Sequence, residues 1–167
     1  LQNQKASIEF KNLSADCLRV SLPIIVEGIQ DQIDSLLEFI ISILPIGVSA
    51  YRLLLKFAKI FYDQLVPDPI QLIFNEVSKD ITSDDPARRF LSINFWYRFS
   101  KFEFKKFSGI IPCPVFHNIS NKLSEAFSQP FLEILPNAVS EFDISLFGES
   151  NENDLSDLII RCLNQFA

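Results

Sequence analysis

Apolar and polar positions along this chain follow two different periods. Between residues 6 and 26 they alternate: Ile8 and Phe10 stand among Ser7, Glu9 and Lys11, and Leu18, Val20, Leu22 and Ile24 stand among Arg19, Ser21 and Pro23. A period of two is that of half-buried strands, here joined near Asn12–Asp16, with Pro23 confining the second to an edge. After Gly28 the period changes. Ile29, Ile33, Leu36, Leu37, Ile40, Ile41 and Leu44 keep to one helical face, with Asp31, Asp34 and Glu38 on the other.

The polar face then disappears. No charged side chain occurs between Glu38 and Arg52, and the run breaks only at Pro45-Ile46-Gly47. A proline that ends a helix, followed by a glycine that permits reversal, predicts an apolar helical hairpin over Leu36–Val66. Its second arm, about Val48–Val66, is apolar over most of its girth and carries Lys56, Lys59 and Asp63 on one stripe. Pro67-Asp68-Pro69 stops it. Asp68 is then the expected cap of a third helix bearing Ile70, Ile73, Phe74, Val77 and Ile81.

Thr82–Pro86 is turn or cap chemistry. The stretch after it, ARRFLSINFWYRFSKFEFKKFSG, fits a helix poorly, because Ile93, Tyr97, Phe104 and Phe107 leave the face shared by Leu91, Phe95, Phe99 and Phe102. Alternation from Leu91 to Phe99, with a change of phase at Ser100, predicts a strand with a bulge or a hairpin. Gly109–Pro114 reads as an irregular connection. Asn118 is the expected cap of a helix over Ile119–Gln129, with Leu123, Ala126 and Phe127 inward. Phe142, Ile144 and Leu146 alternate as a further strand, and a last helix opens at Asn153 or Asp154 with Leu155, Leu158, Ile159, Cys162 and Phe166 on one side. The fold class expected is α+β, predominantly helical, with short antiparallel strands around the apolar hairpin. One compact domain over residues 1–167 is expected, since no linker or repeat is evident.

Composition sharpens this picture. Apolar residues make up 48% of 167 and include 17 Phe, with a mean hydropathy of +0.19. So much apolar surface points either to a Phe-rich core or to a face committed to a partner, ligand or membrane. A net charge of −6 weighs against nucleic acid as the partner. Cys17, Cys113 and Cys162 are odd in number and widely spaced, which is neither a disulfide framework nor a CxxC metal site. Reduced thiols, and hence a cytoplasmic setting, are the expectation. A chain that starts at Leu1 and lacks Met reads as a processed or trimmed product, which leaves a removed targeting segment open. Uninterrupted apolar runs fall short of the ~20 residues of a spanning helix.

The strongest candidate for chemistry is the aromatic and basic stretch at 88–107. Its partner or ligand surface is expected to comprise Arg88, Arg89, Phe95, Trp96, Tyr97, Arg98, Phe99, Lys101 and Phe102. Rings beside cations suit an acidic or anionic partner. Glu141, Asp143, Glu149, Glu152, Asp154 and Asp157 form an acidic counterpart, without the residue order of a calcium loop, and the two segments suit docking between chains. His117 lies near Cys113, but Pro112 and Pro114 bar both from one helix, and neither a P-loop nor a GxGxxG is present. No catalytic residue, metal site or cofactor is assigned. The expected function is a non-catalytic binding or assembly module engaging a protein partner or an apolar small molecule, with oligomer formation compatible. Two alternatives stand behind it. One is a membrane-active protein with the hairpin sheltered, making peripheral membrane contact; the other is a small enzyme using His117.

Overall fold

Every regular element among residues 2–128, which the computed structural model describes, is a helix. The strands expected at 6–26 and 90–107 are absent from that range, and the α+β assignment is corrected to all-helical there. The strand expected at Phe142–Leu146, the last helix and the acidic run lie outside the described residues. The chain divides into two compact units between Val66 and Pro67.

The first unit begins with α1, Gln2–Ile25, in place of the two expected strands. Alternation at 18–24 is resolved helically: Leu22 is fully buried, whereas Val20 and Ile24 are 64% and 82% exposed. On a strand these three would share a face. On a helix the residue two positions away points to the opposite side. The Ser and Asp residues that read as a turn are absorbed by the helix. Ser14 and Ser21 donate to the carbonyls of Phe10 and Cys17 at 2.8 and 2.9 Å, and Asp16 accepts from Ser49 Oγ at 2.8 Å and from Arg19 Nε at 3.2 Å.

A 3-10 stretch, Val26–Gln32, leads into α2, Ile33–Ser42, so the first arm of the hairpin starts later than Ile29. Ile33, Leu37, Ile40 and Leu44 form its buried face. The reversal sits where proline and glycine predict it. A 3-10 turn at Leu44–Ile46 ends on Gly47, at φ 107° and ψ −134°, a conformation closed to residues with a side chain. The second arm is α3, Val48–Ile60, which breaks at Phe61 before the short α4, Tyr62–Leu65. Ala50, Leu53, Leu54, Phe57, Ala58 and Phe61 are buried there, and the rings of Phe57 and Phe61 lie 4.8 Å apart. Both α1 and α2 pack against α3, which makes α3 the centre of this unit. Among the described residues no helix is long and apolar enough to cross a membrane.

The second unit opens with α5, Ile70–Val77, carrying Ile70, Ile73, Phe74 and Val77 inward as the pattern predicts. Asp68 contributes its carbonyl, which accepts from Gln71 N at 3.1 Å, and not a side-chain cap. A 3-10 turn at Ser78–Thr82 follows. Then comes α6, Pro86–Lys106. Its start is built from Asp85, whose Oδ1 accepts from Ala87 N at 2.9 Å and Arg88 N at 3.4 Å, and from Pro86 at the first position. Nine consecutive residues, Arg89 to Tyr97, are buried. A helix enclosed over so much of its circumference shows no helical period, and this is why the segment reads as a strand.

Trp96 is fully buried and links three helices. Its ring meets Phe95 and Phe99 on α6 at 5.0 and 6.2 Å, Phe74 on α5 at 6.2 Å, and Phe116 on α7, Phe116–Ser128, at 5.9 Å. The indole N–H has no hydrogen-bond acceptor among the described residues, so ring packing alone holds it. The helix α7 starts before the predicted cap Asn118, and Ile119 and Leu123 are buried on it.

Phe99 is enclosed by Phe95, Phe102, Phe116 and Trp96, so Phe99→Ala is expected to lower unfolding free energy by about 3–5 kcal/mol in urea titrations. Loss of the cap in Asp85→Ala is expected to remove about 1 kcal/mol. The single Trp is expected to emit well to the blue of an exposed indole and to shift red with the same midpoint.

Candidate functional site

The helical state of α6 redistributes the residues expected to form a partner surface. Phe95, Trp96, Tyr97 and Phe99 are buried, and Phe102 is half-buried against Phe99 at 6.2 Å. The rings are therefore core of the second unit and not an exposed stacking platform. Arg89 is buried too, its guanidinium donating through Nε and Nη2 to the carbonyl of Ser83, the former at 2.8 Å. Burial pulls its pKa down, and the neighbouring Asp84 charge pulls it back up. Arg98 is half-buried and donates to Asn94 Oδ1 at 3.1 Å.

The exposed cations separate to the two ends of α6. Arg88 sits at the start, 3.7 Å from Asp85 and 4.0 Å from Asp80. Lys101 lies over the Tyr97 ring at 5.7 Å, and Lys105 and Lys106 occupy the last turn, where cations complement the helix dipole. Thirteen residues of helix, roughly 20 Å, part Arg88 from Lys101. The sequence clusters these charges; the helix does not.

Beyond α6 the chain turns at Ser108 and Gly109, both at positive φ, with Gly109 N donating to the Phe104 carbonyl at 2.8 Å. An open cleft of about 580 Å³ follows, lined by Phe104, Ile110, Ile111, Cys113, Phe116 and His117 among others. It brings Cys113 and His117 to one place. Their properties diverge, however: His117 is exposed, whereas Cys113 is 3% exposed. Burial first, and the Glu103 carboxylate with it, push the Cys113 thiol up to about 12, against a lowering contribution from a backbone hydrogen bond at Val115. At neutral pH it is a protonated thiol and a poor nucleophile. Among the described residues no group of three His, Cys, Asp or Glu is placed to hold a metal ion.

Among the described residues a longer run of exposed apolar side chains lies elsewhere, on α1. Phe10 and Leu13 are 70% and 64% exposed; Cys17, Val20 and Ile24 are exposed as well. Their spacings are three, four, three and four residues, which align them as one stripe. Ala15 and Leu22, buried, lie on the other side of the helix. Sequence reasoning missed this stripe because a strand reading of 6–26 assigns Phe10, Val20, Leu22 and Ile24 to the buried side. The heptad spacing from Phe10 to Ile24 was the available signal.

Comparison of the chain with family models, curated proteins and solved structures finds no match.

The contrast between the two described thiols is measurable in a Cys162→Ser chain. Iodoacetamide at neutral pH is expected to modify Cys17 and spare Cys113, which reacts only on unfolding or as pH climbs toward 12. Because the folded Cys113 value lies above the ordinary 9.0, its contribution to stability is whole below pH 9 and is lost as pH rises through the folded value. Alkaline denaturation curves of Cys113→Ala are expected to lack that component.

Proposed function

We propose that this chain is a non-catalytic assembly module that engages a protein partner through the outward stripe of α1. One observation carries the reading: five exposed side chains, Phe10, Leu13, Cys17, Val20 and Ile24, keep heptad spacing along a single helix. Scattered exposed apolar residues are ordinary on soluble proteins, but a continuous row is a contact surface. The row contains no charge, and its neighbouring hydroxyls, Ser14 and Ser21, are already bonded to carbonyls of the same helix. The charged groups nearest to it are Glu9 and Asp16, the latter already bonded to Ser49 and Arg19. A reducing, cytoplasmic setting accompanies this reading, as Cys17 and Cys113 are both free thiols.

An apolar small molecule is the second reading, and the cleft beside Phe104 and Ile110 favours it. Phe104 is 47% exposed and Ile110 64%, so the cleft offers open apolar walls.

Native mass spectrometry of protein isolated from its source separates the two. The wild type is expected within a protein assembly, and Phe10→Glu with Val20→Glu is expected as a lone chain of 19.1 kDa with unfolding free energy changed by no more than about 0.5 kcal/mol. A wild type that travels alone, with no difference from the double variant, defeats the assembly reading. Retention of an apolar molecule that is lost in Ile110→Asp, and unaffected by the α1 changes, supports the cleft instead.

A further inference from the structure

We infer that the partner on this stripe is a second copy of the same chain, the two α1 helices pairing in parallel with Cys17 opposite Cys17 of the other copy. This rests on the assembly reading above and specifies its partner. The first argument is spacing. Phe10, Cys17 and Ile24 take one position of a heptad and Leu13 and Val20 the other, the arrangement by which a helix packs along another like itself. In a parallel pair the two-fold axis runs along the row, so each of the five residues faces its own counterpart, Cys17 at the middle among them.

Charge on the flanks decides direction. Ser14 and Ser21 border the stripe on one side; Glu9, Asp16 and Pro23, the last a proline inside α1, border it on the other. In a parallel pair each flank faces the opposite flank of its partner, so Glu9 and Asp16 meet serines. In an antiparallel pair centred on Cys17 like flanks meet, so Asp16 faces Asp16 and Glu9 faces Pro23. Repulsion between the two Asp16 carboxylates disfavours the antiparallel form, although each is partly offset by its own Arg19 at 3.2 Å.

Area sets the strength. The five side chains expose roughly 500 Å² per copy, or about 1,000 Å² for a pair, at the lower edge of specific interfaces. A dissociation constant on the order of micromolar or weaker follows, and hence a reversible, concentration-dependent dimer.

The test uses the full chain with Cys113→Ser and Cys162→Ser. Sedimentation equilibrium is expected to show a monomer–dimer equilibrium in the micromolar range, weakened at least tenfold by Phe10→Glu with Val20→Glu. Diamide, a two-electron oxidant that takes up the two thiol hydrogens, is expected to join Cys17 to its counterpart and to give no dimer in Cys17→Ser. Direction is read by adding Ile24→Cys to that Cys17→Ser chain. Parallel pairing brings the two substituted positions together and a covalent dimer forms. In an antiparallel pair centred on Cys17 they stand roughly 20 Å apart, and failure to cross-link overturns the parallel arrangement. A chain that stays monomeric at several hundred micromolar, with no cross-link, overturns self-pairing altogether. If that monomer is still held in a complex by the same stripe, the assembly reading survives without it; if it instead binds phosphatidylcholine vesicles through those residues, both readings fall.

Discussion

Burial of α6 is the constraint on which the second unit depends. Trp96 contacts aromatic rings from α5, α6 and α7 at once. Enclosing a helix from Arg89 to Tyr97 presses its polar groups toward local partners, the Trp96 N–H being an exception. Ser92 Oγ donates to the Val77 carbonyl at 2.7 Å, Ser100 Oγ to that of Tyr97 at 2.8 Å, and Arg89 to that of Ser83. The same enclosure takes the rings out of reach of any partner. A Phe-rich segment is thus spent on internal cohesion.

The first unit meets the opposite condition. Its centre, α3, is covered by α1 and α2, and the reversal at Gly47 brings the two hairpin arms together. The outer helix α1 is covered on one side only. Ala15 and Leu22 are held inside, Asp16 fastens the helix to Ser49, and the side opposite Leu22 is left apolar. Neither arm of the hairpin, ten and thirteen residues long, approaches the length of a bilayer-spanning helix.

Legibility in the sequence tracked how one-sided each helix is. The segment Ile33–Leu44, with one apolar face, was readable to its buried residues, and so was Ile70–Val77. Turn chemistry was readable where backbone geometry leaves little choice: Pro45 with Gly47, Asp85 with Pro86, and Gly109–Pro114. Helices without a single face defeated the pattern. In α6 burial on most sides removes the period, and without a helical period the cations of 88–106 read as one cluster although they occupy two ends. Of the candidate surface, Arg88 and Lys101 were correctly placed outside by charge alone; the positions of Phe95, Trp96, Tyr97 and Phe99 depend on tertiary packing that no local pattern records.

The error at α1 is more instructive, because it has a single geometric cause. Successive alternate residues on a helix stand about 200° apart, so a helix that is apolar on two opposite sides alternates in sequence much as a strand does. Val20, Leu22 and Ile24 show this directly: outward, inward, outward. A one-sided helix needs one neighbour. A helix with two apolar sides needs two, and within the first unit α1 has been given only one. The strand-like alternation of the segment and its exposed apolar row are therefore consequences of the same arrangement of side chains, and the alternation is itself the mark of the helix's second apolar side.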